Sequence, residues 1–162
     1  MTEEQRSILS LSLIPKVGPV VSKQLINKFD NAQNIFKTTK GKLAKTPGIG
    51  PKLSNAIHGA NLQAETDRII EESNKNQISI HFYNSISYPN RLKTIPDAPI
   101  VLYSKGNIDL QPEKTIGIVG TRKASRYGLR TTSEIVASSK ASGPTIISGL
   151  AFGIDVKAHR EA

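Results

Sequence analysis

Apolar and polar positions recur with different periods along the chain, and the changes of period predict its secondary structure. Over the first 60 residues apolar side chains recur at helical spacing, and residues 62–77 add one amphipathic helix with charges of both signs on its outer face. Residues 78–84 alternate as a strand does, and so do residues 98–106. A proline-punctuated loop joins these two predicted strands.

The last third of the chain has the pattern of a buried parallel sheet. "TIGIVG" (115–120) and "PTIISG" (144–149) are apolar runs that end in glycine, and each leads into a helical pattern. The order strand, helix, strand, helix predicts an α/β fold in which the turns "GTRKAS" and "SGLAFG" lie side by side at the carboxyl ends of the strands. We therefore expect an all-α amino-terminal domain followed by the first part of a Rossmann-like parallel-sheet domain.

The first 60 residues contain a repeat. "LSLIPKVGPVVSKQLI" (11–26) aligns with "LAKTPGIGPKLSNAIH" (43–58) at an offset of 32 residues, and each copy has a Pro-x-apolar-Gly-Pro turn between helical patterns. This pattern is typical of a helix-hairpin-helix. In the second copy Gly48 and Gly50 let another backbone approach, and the next helix start can bind a phosphate beside Lys52. In the first copy Lys16 stands where Gly48 stands in the second, so one flexible, close-approach position is lost. The alternative for both copies is that the hairpins are packing or protein-interaction modules.

The two turns of the predicted parallel sheet carry candidate anion-binding groups. The first turn offers exposed amides, two hydroxyls and three cations, from Gly120, Thr121, Ser125, Arg122, Lys123 and Arg126. The second turn offers a hydroxyl and amides at a helix start, from Ser148, Gly149 and Gly153. These groups suit a nucleic-acid backbone or a nucleotide phosphate. The alternative, that the glycines only let helix pack on strand, leaves the cations unexplained.

The glycine spacing differs from the common nucleotide fingerprints. Gly117-x-x-Gly120 and Gly149-x-x-x-Gly153 match neither Gly-x-Gly-x-x-Gly nor a P-loop, so a dinucleotide or nucleoside triphosphate site loses support. Further along, Asp155 and His159 share one face of the last predicted helix. We expect Asp155 to favour the helix amino terminus and to pair with His159 rather than to act in catalysis.

Charge and composition narrow the classes of function. The net charge of +9 comes from +6 over residues 1–60 (nine Lys/Arg, three Asp/Glu), −1 over 61–112 (five against six) and +4 over 113–162 (eight against four). Clustered positive charge is typical of polyanion binders, and a basic surface kept for solubility is the alternative. The absence of cysteine and the acidic start "MTEEQRSILS" predict a cytoplasmic protein, and a membrane span is not expected because no run of about 18 apolar residues occurs. Because neither His58 nor His81 has a second ligand at metal-binding spacing, we expect no metal and no cofactor.

Three segments resemble, in order and spacing, the signatures of the DNA-processing protein A family (DprA, also called Smf). They are "YPNRLKTIPDAPIVLYSKG", "IGIVGTRKASRYG" and "ISGLAFGIDVKAH", and the preceding hairpin repeat is similar to that family's amino-terminal, SAM-like domain. The resemblance implies an extended Rossmann domain that binds single-stranded DNA and loads a RecA-type recombinase during natural transformation, without established enzymatic activity. It puts the arginine of the family's Val-Gly-Ser-Arg motif at Arg122, with Thr121 in place of serine, and its Ser-Gly-Leu-Ala-x-Gly-Ile-Asp motif at 148–155 in the same basic pocket.

We therefore predict a tandem helix-hairpin-helix domain over residues 1–60, a linking helix over 61–77 and an incomplete Rossmann-like DNA-binding domain over 78–162. With Tyr127 as the only aromatic side chain expected near the pocket, the predicted mode is backbone binding with little sequence preference. Since family members continue with further strands, the resemblance implies a longer protein whose remainder carries homodimer and recombinase contacts. The alternative function is a nucleotide-phosphate-binding Rossmann enzyme or sensor.

Overall fold

The computed structural model describes residues 1–162, and its contacts divide the chain into two compact units. The first, called the helical unit, spans Met1–Leu110, and the second, called the parallel-strand unit, spans Gln111–Ala162. The domain boundaries that the sequence predicts, after residue 60 and after residue 77, remain predictions. Contacts group the chain differently, because the two strands that follow residue 77 pack with the helices before them.

Seven helices and one strand pair make up the helical unit. In chain order they are α1 (Glu3–Leu13), α2 (Pro19–Phe29), α3 (Ala32–Lys37), α4 (Lys40–Ala44), α5 (Pro51–His58), α6 (Gln63–Lys75), β1 (Ile78–Phe82), α7 (Asn90–Lys93) and β2 (Val101–Lys105). The predicted helix over 62–77 and both predicted strands are present. β1 and β2 pair antiparallel, with Phe82 opposite Val101, and both of these side chains lie in the core.

The sequence repeat becomes a structural repeat in the core of the helical unit. Three pairs of apolar residues at matching positions are buried in both copies, namely Leu11, Val17 and Leu25 in the first and Leu43, Ile49 and Ile57 in the second. Gly18 caps α2 and Gly50 caps α5 with nearly the same extended backbone angles, and a proline follows each as the first helical residue. The two hairpins therefore share one core, as the predicted helix-hairpin-helix architecture requires.

Polar caps fix the helices around that core. Thr2 and Gln5 form a reciprocal capping box at the start of α1, with N···O distances of 2.9 and 3.2 Å. The carboxylate of Glu4 accepts hydrogen bonds from the Ala32 and Gln33 amides at 2.8 and 3.1 Å. Because those amides open α3, this one side chain both satisfies unpaired donors and ties α1 to α3.

The parallel-strand unit has the predicted order of strand, helix, strand and helix. Its elements are β3 (Thr115–Gly117), α8 (Arg126–Ser139), a 3₁₀ turn (Lys140–Ser142), β4 (Thr145–Ile147) and α9 (Ile154–Glu161). β3 and β4 pair parallel, with Gly117 opposite Ile147, which confirms the parallel arrangement. Both strands are shorter than predicted, because the amides of the glycines that follow them bond to a side chain instead of extending the ladder.

Two features are absent from the structure. No helix combines the length and apolarity needed to cross a bilayer. No group of three or more His, Cys, Asp or Glu side chains is placed to hold a metal ion. His81 instead hydrogen-bonds the Ser87 and Ser104 hydroxyls at 3.1 and 2.8 Å, within and beside the β1–β2 pair.

Candidate nucleic-acid interface

Two turns meet at the carboxyl ends of β3 and β4, as the sequence predicts. The first turn is residues 118–125 and the second turn is residues 148–153. Gly153 has a φ of 87°, and a Cβ there would overlap the Thr121 carbonyl oxygen and lie 2.8 Å from that of Arg122. The Ile154 amide also donates to the Thr121 carbonyl at 3.3 Å. Only glycine allows this approach, so the second turn packs directly on the backbone of the first.

A buried carboxylate joins the two turns. Asp155 is 4% exposed, and its two oxygens accept from the Gly120 amide at 3.1 Å and the Gly149 amide at 2.9 Å. This corrects two predictions. The amides of Gly120 and Gly149 are used within the protein rather than exposed to a ligand, and Asp155 bonds to them instead of pairing with His159.

Gly120 of the first turn and Gly128 of α8 also serve packing. A Cβ on Gly120 would lie 2.7 Å from the Cβ of Ile154, and one on Gly128 would lie 3.3 Å from its Cδ1. Ile154, the first residue of α9, thus fills the space that these glycines leave. The alternative prediction was that the glycines only let helix pack on strand, and the close contacts of Gly120 and Gly153 agree with it. That these glycines also form part of a DNA-binding site remains a prediction.

Each predicted hydroxyl has a partner within the turns. Ser125 caps α8 by accepting from the Gly128 amide at 3.1 Å, and Thr121 accepts from the Lys123 amide at 3.2 Å. Ser148 accepts from the Leu150 amide at 3.0 Å and hydrogen-bonds the His159 Nε2 at 2.8 Å. As acceptors, Thr121 and Ser125 keep a hydroxyl proton that a ligand oxygen can accept.

Three cations of the first turn and of the start of α8 lack any ion-pair partner. Arg122, Lys123 and Arg126 are exposed, and none of them makes a salt bridge. The first turn of α8 contains no acidic residue that would neutralise them. Farther along the same helix, Arg130 does pair with Glu134, at 3.6 Å. Positive charge is therefore left uncompensated at the turns, beside the positive end of the α8 dipole.

Sequence reasoning missed the apolar part of this surface. Phe152 is 81% exposed, and Val119 and Leu150 are also largely exposed. Tyr127, the one aromatic residue that the sequence placed near the pocket, is 69% exposed. The signal for Phe152 was present, because it stands inside "SGLAFG", where a turn at the end of a strand carries its side chain outward.

The helical unit contains a second candidate surface, at the turn before α5. Gly48 has a φ of 78°, and Lys16 at the matching position of the first copy has a φ of 69°. Lysine therefore adopts the turn conformation that the sequence argument reserved for glycine. No heavy atom lies within 4 Å of a Cβ built on Gly50, so the helix start is open, and Lys52 beside it is exposed.

The first hairpin holds the loop of the second in place. Gln24 on α2 donates to the Pro47 carbonyl at 2.8 Å, and the Lys28 ammonium donates to the Thr46 hydroxyl at 2.9 Å. Both acceptors immediately precede the Gly48 turn. The open start of α5 is thus presented on a fixed loop.

Comparison with known proteins gives the family. The family model described as DNA recombination-mediator protein A matches residues 79–162, and that of the helix-hairpin-helix motif matches residues 6–69. Protein Smf of Synechocystis is 34% identical over 160 residues, covering 96% of this chain and 40% of that protein. DNA processing protein DprA of Bacillus subtilis is 42% identical over 77 residues, covering 47% of this chain and 26% of that relative. The chain spans less than half the length of these relatives.

A solved structure agrees with the fold. The crystal structure of DNA processing protein A from Streptococcus pneumoniae matches with a TM-score of 0.71 at 23% identity, covering 100% of this chain and 54% of that one. Together with the family match over the second half of the sequence, this confirms the resemblance first seen in the three quoted segments. The chain belongs to the DNA recombination-mediator protein A (DprA/Smf) family.

Proposed function

We propose that this chain binds single-stranded DNA and acts, within a recombination mediator, in loading a RecA-type recombinase during DNA uptake and natural transformation. The family is one of DNA-processing recombination mediators, which supports the general class. The specific steps are proposals, because the chain spans only part of its relatives. The proposal includes a cytoplasmic location, a homodimer in the full-length protein, and no catalytic residue.

The observation that carries the proposal is the group of three unpaired cations around the first turn. Arg122, Lys123 and Arg126 have no acidic partner, although four Asp or Glu side chains lie within residues 113–162. A phosphodiester backbone supplies the missing negative charge, and release of its counterions supplies much of the binding free energy. Arg122 is the proposed main contact, because a guanidinium can bind two phosphate oxygens at once.

Polar groups around the cations have supporting roles. We assign phosphate contacts to the hydroxyls of Thr121 and Ser125, which keep a free proton, and to Ser148 on the second turn. Gly120, Gly149 and Gly153 contribute through shape, since they let the two turns and α9 approach each other. The buried carboxylate of Asp155 holds the two turns together through the Gly120 and Gly149 amides, and the surface charge of the turns is that of the three cations.

The alternative, a small-nucleotide site, has less support. A mononucleotide phosphate is usually bound by backbone amides at a glycine turn, and two of those amides are already bonded to Asp155. A strand of DNA does not depend on them, because it contacts side chains spread along a surface. Binding that strengthens with oligonucleotide length would favour DNA, whereas a mononucleotide site is filled by one unit.

The second hairpin is proposed as an additional phosphate contact. Gly50 leaves the start of α5 open, Gly48 forms the turn before it, and Lys52 adds a positive charge. Such a hairpin can hold the backbone of duplex or single-stranded DNA. The test is Lys52→Ala, which should lower affinity slightly and equally for all sequences.

The test of the main proposal is the fluorescence anisotropy of a labelled thymine oligonucleotide, titrated at several salt concentrations. We expect the logarithm of the affinity to fall linearly with the logarithm of salt concentration. Arg122→Ala should reduce the slope by about 0.7, the value for one lost contact with a single strand. Lys140→Ala, which removes the same charge at the far end of α8, is the matched control and should change neither quantity by as much. A wild-type affinity that does not respond to salt, or an Arg122→Ala variant that binds like wild type, would refute the assignment.

A further inference from the structure

The two turns expose large apolar side chains among their cations. Phe152 and Leu150 project from the second turn, Val119 precedes Gly120 on the first, and Tyr127 follows Arg126. Large apolar side chains grouped at one place on a surface usually mark a binding site. A phosphate backbone alone gives these side chains nothing to contact, so the proposed cation site leaves them unexplained.

The exposure of Phe152 does not come from a loose loop. The second turn is held on both sides of this residue, by the Gly149 amide bonded to Asp155 and by the Ile154 amide bonded to Thr121. Leu150 adopts a φ of 53°, a conformation that costs a leucine free energy and persists only where neighbouring contacts impose it. The ring is therefore presented to solvent by a fixed backbone.

The backbone that carries the ring packs against the backbone that carries the main cation. Gly153 directly follows Phe152, and its backbone packs against the carbonyl groups of Thr121 and Arg122. The aromatic side chain of the second turn and the main cation of the first turn therefore emerge from touching segments of backbone. Aromatic rings interleaved with cations are typical of surfaces that bind single strands, because the cations track the phosphates while bases stack on the rings.

We propose that Phe152 is a stacking platform for an unpaired base, with Tyr127 as a second one across the first turn. This inference rests on the proposed function, because it assigns the bases of the same strand whose phosphates contact Arg122. The chain has eight aromatic residues, and two of them are exposed here. Stacking requires a free base face, which duplex DNA does not offer, so the arrangement selects single strands over duplex.

Stacking changes the expected binding mode. The sequence predicted backbone binding with little sequence preference, because Tyr127 was the only aromatic residue expected near the pocket. With a ring at the site, removing the bases should weaken binding even when every phosphate remains. Purines should bind somewhat more tightly than pyrimidines, because their larger faces stack more strongly.

The first experiment compares a thymine oligonucleotide with an abasic oligomer of the same length and charge. We expect the wild-type protein to bind the abasic strand at least about fivefold more weakly, because every stacking contact is lost and each one is worth a factor of about five to 150. Phe152→Ala should weaken binding of the thymine strand by a similar factor and leave abasic binding unchanged. Ile86→Ala is the matched control, because Ile86 is an exposed apolar residue of the helical unit, at 97% exposure, and should change neither affinity.

The second experiment uses the absence of tryptophan from the chain. Phe152→Trp introduces a single indole at the proposed platform, and stacking of a base should quench its fluorescence. Ile86→Trp reports any quenching that does not depend on the site. The inference is supported if the oligonucleotide quenches Phe152→Trp but not Ile86→Trp, and if the wild-type protein binds the abasic strand more weakly than the thymine strand. If the thymine and abasic strands bind equally well and both need Arg122, the proposed function stands and the stacking inference is overturned. If neither strand shows salt-dependent binding, the proposed function and the stacking inference are both overturned.

Discussion

The carboxylate of Asp155 accepts a hydrogen bond from the backbone amide of Gly149 at 2.9 Å. Its other oxygen bonds the Gly120 amide, so one side chain on α9 fastens the turns that follow both parallel strands. A carboxylate beside three cations would weaken an anion site if it faced solvent. Because it is buried and its oxygens face amides, it organises the turns and leaves their outer surface positive.

Replacing Asp155 should loosen both turns. Asp155→Ala removes two charge-assisted hydrogen bonds, and we expect the free energy of unfolding to fall by about 2 kcal/mol, since the freed amides can still reach water. Urea denaturation measures this loss, and hydrogen exchange at Gly120 and Gly149 should become faster. Glu134→Ala is the control, because Glu134 makes an exposed ion pair with Arg130, and its loss should cost less than about 1 kcal/mol. Unchanged hydrogen exchange at Gly120 and Gly149 would contradict the conclusion that Asp155 holds the two turns in place.

The contact between the turns can be tested at Gly153. Gly153→Ala must accommodate a Cβ both in a left-handed conformation and against the Thr121 carbonyl oxygen, so it should separate the turns and reduce DNA binding. Gly143→Ala is the control for a Cβ at positive φ without a contact: Gly143 has no neighbour within 4 Å and a φ of 60° with a ψ of 40°, whereas Gly153 has a φ of 87° with a ψ of −122°. The control should cost about 1–2 kcal/mol, the penalty of the backbone conformation alone. Equal losses of stability in the two variants would show that the contact with the first turn contributes nothing.

The two hairpin turns allow a reciprocal exchange. Lys16 and Gly48 occupy matching positions with φ values of 69° and 78°. Lys16→Gly should raise the free energy of unfolding by at most about 1 kcal/mol, because relief of the left-handed conformation is partly offset by the greater entropy of glycine in the unfolded chain. Gly48→Lys should lower it by a similar amount. Thermal unfolding of both variants checks the signs, and a stabilising Gly48→Lys would mean that the two turns are not equivalent.

Most of the fold follows from periodicity and turn chemistry. The matched pairs Leu11 and Leu43, or Leu25 and Ile57, could be identified as core because a repeat preserves the positions that its units bury. The exact ends of β3 and β4 could not be predicted. They depend on Asp155, which is six residues beyond Gly149 and 35 residues beyond Gly120, and no local pattern reveals so distant a side-chain partner.

The cations of the candidate site could be predicted from the sequence, whereas its free amides and its exposed aromatic ring could not. Arg122, Lys123 and Arg126 stand close together in the sequence, so their clustering needs only a turn. Whether an amide is free depends on partners elsewhere in the chain, which is why the exposed amides were predicted wrongly. Phe152 was missed because a large aromatic side chain is more often buried, and the signal for its exposure was only its place in a turn at the end of a strand.

Tyr88 links the stability of the helical unit to alkaline pH. Tyr88 is fully buried, and its hydroxyl donates to the Pro99 carbonyl at 2.7 Å. Burial, with a smaller contribution from Tyr83, raises the pKa of this phenol above its ordinary value of 10.0. The unfolded chain therefore loses the phenolic proton first, so stability is intact below pH 10.0 and falls as pH rises through the range between the two pKa values.

Urea denaturation from neutral pH to above pH 10.0 tests this linkage. Tyr88→Phe should cost about 1 kcal/mol at neutral pH, because the Pro99 carbonyl loses its donor, and should make stability less dependent on pH in the alkaline range. Partial burial also raises the pKa of Tyr103, but this residue is 45% exposed, so only a small part of the alkaline loss should remain in the variant. Tyr127→Phe controls for removal of an exposed hydroxyl. If Tyr88→Phe loses stability with pH as steeply as the wild type, the buried phenol does not control the alkaline limit of the helical unit.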